Sequence, residues 1–175
     1  MKLKNRIAEI RSKKDVNLLV SEIENNPQML EGLLMLLEER KTRQSIYTSW
    51  VLSHTAESSP ELISPFAQQI LELFKNSPHT GANRNLMRCF MEIDVPEDIM
   101  SPLIDQCLEF INDPIQPVAV KAFSIQSFAR IVIKMPDLAN ELKLAMAHIH
   151  LLNSPALNST SKKVRLMMKK NNIPF

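Results

Sequence analysis

Residues 58–78 read SSPELISPFAQQILELFKNSP. The stretch opens on a polar residue and a proline, runs apolar through Ile63, Phe66, Ala67, Ile70, Leu71 and Phe74, and stops at Asn76, Ser77 and Pro78. Spacings of three and four put those apolar side chains on one helical face. Proline suits the first turn of such a helix, where its missing N–H costs nothing, and the segment just past its end. The same grammar returns from Pro96 in PEDIMSPLIDQCLEFINDP and from Pro136 in PDLANELKLAMAHIHLLNSP. A repeated helical unit therefore organises the chain.

Working outward, the opening prolines align at Pro27, Pro60, Pro96 and Pro136, at intervals of 33, 36 and 40 residues. Such intervals fall within the periods of helical repeat proteins, and each has room for two helices. The first helix of each pair begins at the proline; the second is predicted over 42–57, 83–93, 118–134 and 162–171. Asn25 with Gln28, Ser58 with Glu61 and Asp94 with Glu97 have the spacing of a capping box. Pro65 and Pro102, each preceded by serine, leave Ser64 and Ser101 as alternative helix starts. Residues 118–133 are apolar nearly all round, with Gln126 and Arg130 at the solvent line, which suits an interior helix. Ahead of the repeats, Leu3, Ile7 and Ile10, then Val16, Leu19, Val20 and Ile23, predict two short amphipathic helices capping the open end.

With 175 residues the chain suffices for one domain, 1–175, divided into a cap over 1–25 and repeats over about 26–59, 60–95, 96–135 and 136–175. At 45% hydrophobic and 23% charged residues it belongs with globular proteins, not disordered ones. No apolar run approaches the roughly 18 residues of a membrane span, and the N-terminus lacks the apolar core of a secretory signal. A cytoplasmic location without a membrane partner is expected.

The chemistry-bearing residues are sparse. Two glycines, Gly32 and Gly81, leave no material for a phosphate loop or for hairpin turns, so a nucleotide site and strands are both disfavoured. Cys89 and Cys107 stand apart without a partner at metal-ligand spacing and read as buried free thiols. His148 and His150, two apart on a helix, point to nearly opposite sides and cannot share a metal, while His54 and His79 stand alone. Cys89 lies between Arg88 and Phe90 in an apolar stripe, where burial outweighs a nucleophilic role. No cofactor, metal or catalytic constellation is expected, and the chain reads as a non-enzyme.

Charge is asymmetric between the two helix rows. In the proline-led first helices acidic residues exceed basic ones by 3, 1, 4 and 1, whereas the second helices balance at 0, +1, +3 and +5. The final 32 residues carry Lys162, Lys163, Arg165, Lys169 and Lys170 and no acid. Such a field attracts phosphates or acidic protein segments.

The order of a proline-led helix, an Asp-Pro or Ser-Pro stop, and a Val-Lys or Val-Arg opening resembles the HEAT repeat, with the armadillo-like repeat a close relative. Asn112-Asp113-Pro114 followed by Val120-Lys121-Ala122-Phe123 carries the resemblance best; Asn153-Ser154-Pro155 followed by Val164-Arg165-Leu166 comes next. It covers the chain from about Asn25 to the end. The resemblance implies an all-α fold, a right-handed α–α superhelix of about four HEAT-like helix pairs with an N-terminal capping segment. It also implies that the second helices line a concave, basic groove, and that Lys121 and Arg165 can instead pair structurally with Asp113 and its neighbours. Candidate groove residues are Arg43, Tyr47, Trp50, Arg84, Arg88, Lys121, Lys163 and Arg165, with Trp50 equally placed to be core.

The function this implies is a non-catalytic scaffold that binds a protein partner, its identity and the chain's own oligomeric state left open. The alternative is nucleic-acid binding, because some DNA alkylation-repair glycosylases are built from HEAT-like repeats around Trp, Asp and Arg side chains, for which Trp50, Asp94 and Arg84 are the candidates here. The adenylosuccinate lyases are a poor match: their Gly-Ser-Ser-x-Met-Pro-x-Lys-x-Asn loop has no counterpart in this sequence.

Overall fold

In the computed structural model, residues 3–39, 42–74, 80–150 and 152–175 are described, apart from the side chain of Thr42. Their regular structure is helical, with no strand among the described residues. The helices gather into two compact units, Met1–Pro96 and Glu97–Phe175. The stop at Asn76, Ser77 and Pro78, and His79, lie outside the described residues.

The first unit holds α1 (Leu3–Glu9), α2 (Lys13–Asn25), α3 (Met29–Glu38), α4 (Thr42–Ser58), α5 (Pro60–Ile63), α6 (Ala67–Phe74) and α7 (Thr80–Glu92). Two rows emerge from the packing. Helix α4 lies between α2 and α7, while α3 lies between α1 and α6. The N-terminal segment is thus itself a helix pair that covers the following one, α1 against α3 and α2 against α4. Arg6 locks that pair together with two parallel hydrogen bonds to Glu22, of 2.7 and 2.6 Å, and Lys4 reaches Glu39 at 2.7 Å. Gly32 has a specific use here, since a Cβ on it would stand 2.9 Å from Leu3 Cδ2. The glycine lets α1 settle onto α3.

Interior position and composition conflict in α4. Ser45, Thr48, Ser49, Ser53 and Thr55 are all buried along it, although hydroxyls need partners away from water. Several find them in their own helix: Ser49 donates to the Ile46 carbonyl at 2.9 Å, Ser53 to Trp50 at 2.9 Å and Thr55 to Val51 at 3.0 Å. Such back-bonding hides the polar group while keeping the side chain short, so that α7 can come close. Asn85 of α7 then donates to Ser49 Oγ at 3.2 Å, tying the two helices. Beyond the small residues, Phe74 and Phe90 meet at 6.1 Å between ring centres and fill the α6–α7 junction.

The second unit holds α8 (Glu97–Asn112), α9 (Val118–Lys134), α10 (Ala139–His150) and α11 (Pro155–Lys170). Helix α9 packs against α8, α10 and α11, the interior place its all-round apolarity predicts. Gln126 is half-buried and Arg130 exposed, at the predicted solvent line.

Helix starts depart from expectation in several places. Pro65 breaks its segment: a 3-10 turn over Ser64–Phe66 separates α5 from α6. Pro102 does not, and sits inside α8. Its missing N–H leaves the Asp98 carbonyl without a helical donor, and Asp98 is exposed, so water can serve it. The capping boxes expected at Asn25 and Ser58 do not form. Asn25 ends α2 and donates to the Ser21 carbonyl, while Ser58 and Ser59 donate to Glu24 Oε1 at 2.7 and 2.9 Å, fastening α4 to α2. The box that does form joins Ser12 and Asp15 at the start of α2. Helix α11 begins at Pro155, seven residues before the predicted 162. Asn153 ends the preceding segment at φ 47°, a left-handed position that asparagine tolerates better than most residues.

Lys121 shows how a pair is closed. It is buried, 4% exposed, and its Nζ donates to the carbonyls of Ile111 at 2.7 Å, Asp113 at 2.6 Å and Phe110 at 3.4 Å. The Phe110 and Ile111 carbonyls belong to the last turn of α8, whose end has no helical donors and where a cation also complements the helix dipole, while the Asp113 carbonyl just beyond it accepts from the Gln116 N–H as well. The expected pairing with Asp113 thus runs through its backbone, while the Asp113 carboxylate accepts from the Ile115 N–H at 2.9 Å.

Three outcomes are expected from urea denaturation. Lys121→Met strands the Phe110 and Ile111 carbonyls and costs about 2–3 kcal/mol. Thr48 Oγ1 is buried with no hydrogen-bond partner, so Thr48→Val raises stability by about 1 kcal/mol, whereas Ser49→Ala, which cuts the tie to Asn85, lowers it by about as much.

Candidate binding surface

In the first unit, α4 carries Arg43, Tyr47, Trp50, His54 and Glu57 at successive spacings of four, three, four and three, which align them along one face. The side chains form a ladder. The Arg43 guanidinium stands 5.5 Å from the Tyr47 ring centre, Tyr47 and Trp50 are 6.4 Å apart, and Trp50 and His54 are 6.2 Å apart. At its far end Glu57 Oε2 accepts from Arg88 of α7 at 2.8 Å and lies 2.9 Å from His54 Nδ1. The lower rungs are thereby held at fixed places.

Exposure grades along this face. Arg43 is exposed, Tyr47 and Trp50 half-buried, and His54 buried. Trp50 is therefore neither wholly core nor wholly surface, and its ring neighbours are Tyr47 and His54. Arg84, one turn before Arg88 on α7, is exposed. Where the ladder ends at Arg43 and Tyr47, a cleft of about 400 Å³ opens against α1, lined also by Lys4, Asn5 and Gln44. Aromatic and arginine side chains beside a concavity are the usual anchors of a protein contact, since they bury much area for little lost freedom.

In the second unit the sequence candidates divide. Lys163 and Arg165 are exposed on α11, but Lys121 is not available to any partner, because its ammonium is consumed by the α8 carbonyls. Arg165 does not pair with Asp113 or a similar acid; its guanidinium stands 5.9 Å from the Phe175 ring centre. The two units present separate sets of candidates, Arg43, Tyr47, Trp50, Arg84 and Arg88 in one, Lys163 and Arg165 in the other.

His54 and Glu57 are the rungs that sequence reading misses. The heptad-like spacing from Arg43 to Glu57 is the signal that could have found them. Of the glycosylase-like trio, Trp50 lies on α4, Arg84 on α7 and Asp94 just past the end of α7. Neither cysteine reaches this surface. Both are fully buried, and burial pushes the Cys89 thiol up to about 12 and the Cys107 thiol higher still. Among the described residues no group of three His, Cys, Asp or Glu side chains could hold a metal, and no helix is long and apolar enough to cross a membrane.

Burial holds the His54 pKa below the ordinary 6.5, and the nearby Arg88 charge lowers it further, against the opposing pull of Glu57. A depressed histidine pKa means that the folded state takes up its proton later than the unfolded chain. The contribution of His54 to stability is complete above pH 6.5 and is lost as pH falls below it. Following the ring protons by NMR, Arg88→Ala should raise the His54 midpoint and Glu57→Gln should lower it.

Comparison with curated proteins and with solved structures finds no match. The sequence pattern of the HEAT repeat domain, however, matches residues 3–168. That span includes both helix rows of each unit and the N-terminal pair. The paired helices, their all-α content and this match agree, and the chain belongs to the HEAT-repeat family.

Proposed function

We propose that this protein is a non-catalytic scaffold that binds a segment of a protein partner along the exposed face of α4 and α7. The observation that carries this reading is the ladder from Arg43 through Tyr47 and Trp50, fixed at its base by Arg88 and Glu57 and opening at its top into a cleft. Its rungs are ordered before a partner arrives, so binding spends little on immobilising them. The mixture of ring faces and guanidinium groups suits a peptide offering carboxylates and apolar side chains. Two free, buried thiols fit a reducing cytoplasm, where no disulfide is needed.

The test is purification of the tagged protein from its own cells, with and without nuclease, followed by identification of what accompanies it. A discrete protein retained after nuclease is expected, and its affinity for the purified scaffold should fall about tenfold or more with Tyr47→Ala and with Arg84→Glu. Loss of all companions on nuclease treatment would overturn the reading in favour of nucleic acid. A turnover activity that follows the purified protein and dies with one substitution would also sink it.

A further inference from the structure

The second unit contains a cleft between α10 and α11 that the proposed protein-binding face does not use. Its volume is about 540 Å³, within the range of small-ligand sites. Helix α10 supplies Lys143 and His150 to its walls, and α11 supplies Asn158, Ser161, Lys162 and Arg165. On each helix the lining positions fall at spacings of three and four, so each wall is a single helical face. Two of the cations, one from each helix, meet over one ring. Lys143 Nζ lies 5.7 Å and Arg165 Cζ 5.9 Å from the centre of the same Phe175 ring.

That convergence is electrostatically unsatisfied. The sequence has no Asp or Glu after Glu141, so α11 has no carboxylate of its own to offer. No carboxylate lines the cleft. Among the described residues, Lys143, Lys162 and Arg165 take part in no salt bridge, in contrast to Arg6, Lys4 and Arg88 of the first unit. The like charges of Lys143 and Arg165 repel, and an anion in the cleft relieves the repulsion while gaining them, and Lys162 of the same wall, as charged donors. Ser161 and Asn158 add neutral hydrogen-bonding groups, and His150 stands at the same cleft.

We infer that the α10–α11 cleft is a binding site for a phosphate monoester, held by Lys143, Lys162 and Arg165. A monoester dianion suits this site better than a nucleic-acid backbone. The cations are clustered around a pocket of small-ligand size, whereas successive phosphodiesters need charges strung along a track. Lys163 and Lys170, on the same helix, do not line the cleft, so they report on the basic field of α11 apart from the cleft. The chemistry is shared by a free phosphorylated solute and by a phosphorylated side chain of a protein. Being formed by other residues, the site stands or falls independently of the α4–α7 face.

The experiment is NMR titration of the full-length protein with O-phosphoserine, with a phosphoserine-containing peptide and with a single-stranded oligonucleotide, at fixed ionic strength. Saturable shifts in the ring signals of His150 and in the amides of Lys162 and Arg165 are expected with phosphoserine. Lys162→Ala and Arg165→Ala should each weaken binding about tenfold, while Lys163→Ala and Lys170→Ala should leave it within about twofold. Equal affinity for the amino acid and the peptide would identify a small solute as the natural occupant; tighter binding of the peptide by tenfold or more would identify a phosphorylated protein. Equal losses from all four substitutions, an absence of saturation, or tighter binding of the oligonucleotide would each overturn the monoester site.

Discussion

Close approach between the second-row helices of the first unit depends on hydroxyls that satisfy their own backbone. Helix α4 is in contact with α1, α2, α3, α5 and α7, and no helix so surrounded can present a wide face of long side chains without forcing its neighbours apart. Ser49, Ser53 and Thr55 resolve this by bonding carbonyls three or four residues back, so that polar groups enter the interior already paired. With the buried face kept small, the opposite face can carry large residues. The ladder of Arg43, Tyr47 and Trp50 is therefore the outward consequence of the same packing that seats α7.

The second unit handles its polar groups differently. There one lysine does for the end of α8 what several hydroxyls do along α4. Lys121 places a cation on the last-turn carbonyls of Phe110 and Ile111 and on that of Asp113 just beyond, and in doing so joins the two helices of a pair. This also removes Lys121 from the basic balance of the second-row helices. Of the cations of α11, Lys162 and Arg165 line the α10–α11 cleft while Lys163 and Lys170 lie outside it.

Which features were legible in the sequence follows from how each is encoded. The paired helices were legible, because apolar periodicity and proline punctuation are local signals; α9 matches its predicted 118–134 span for this reason. The central place of α4 was not, since serine and threonine read as polar even where they sit inside and bond their own helix. The box expected ahead of α5 does not form because Ser58 and Ser59 turn to Glu24, a partner some 35 residues away, and no local pattern reports that competition. Of the candidate site, Arg43, Tyr47, Trp50 and Arg88 were recognisable by type, and the structure gathers them. His54 and Glu57 required knowing that the helix runs uninterrupted, and Lys143 and Phe175 required knowing which helices meet.

The scarcity of glycine has an effect beyond the folded structure. Where the chain needs left-handed backbone it uses Asn153 and Asn172, and it marks its helix starts with proline. Each choice costs the native state little, yet narrows the conformations open to the denatured chain, by about 0.4–1 kcal/mol for each well-placed proline. Part of what keeps these helix pairs folded is then the stiffness of the disordered chain, a contribution that appears in no native contact.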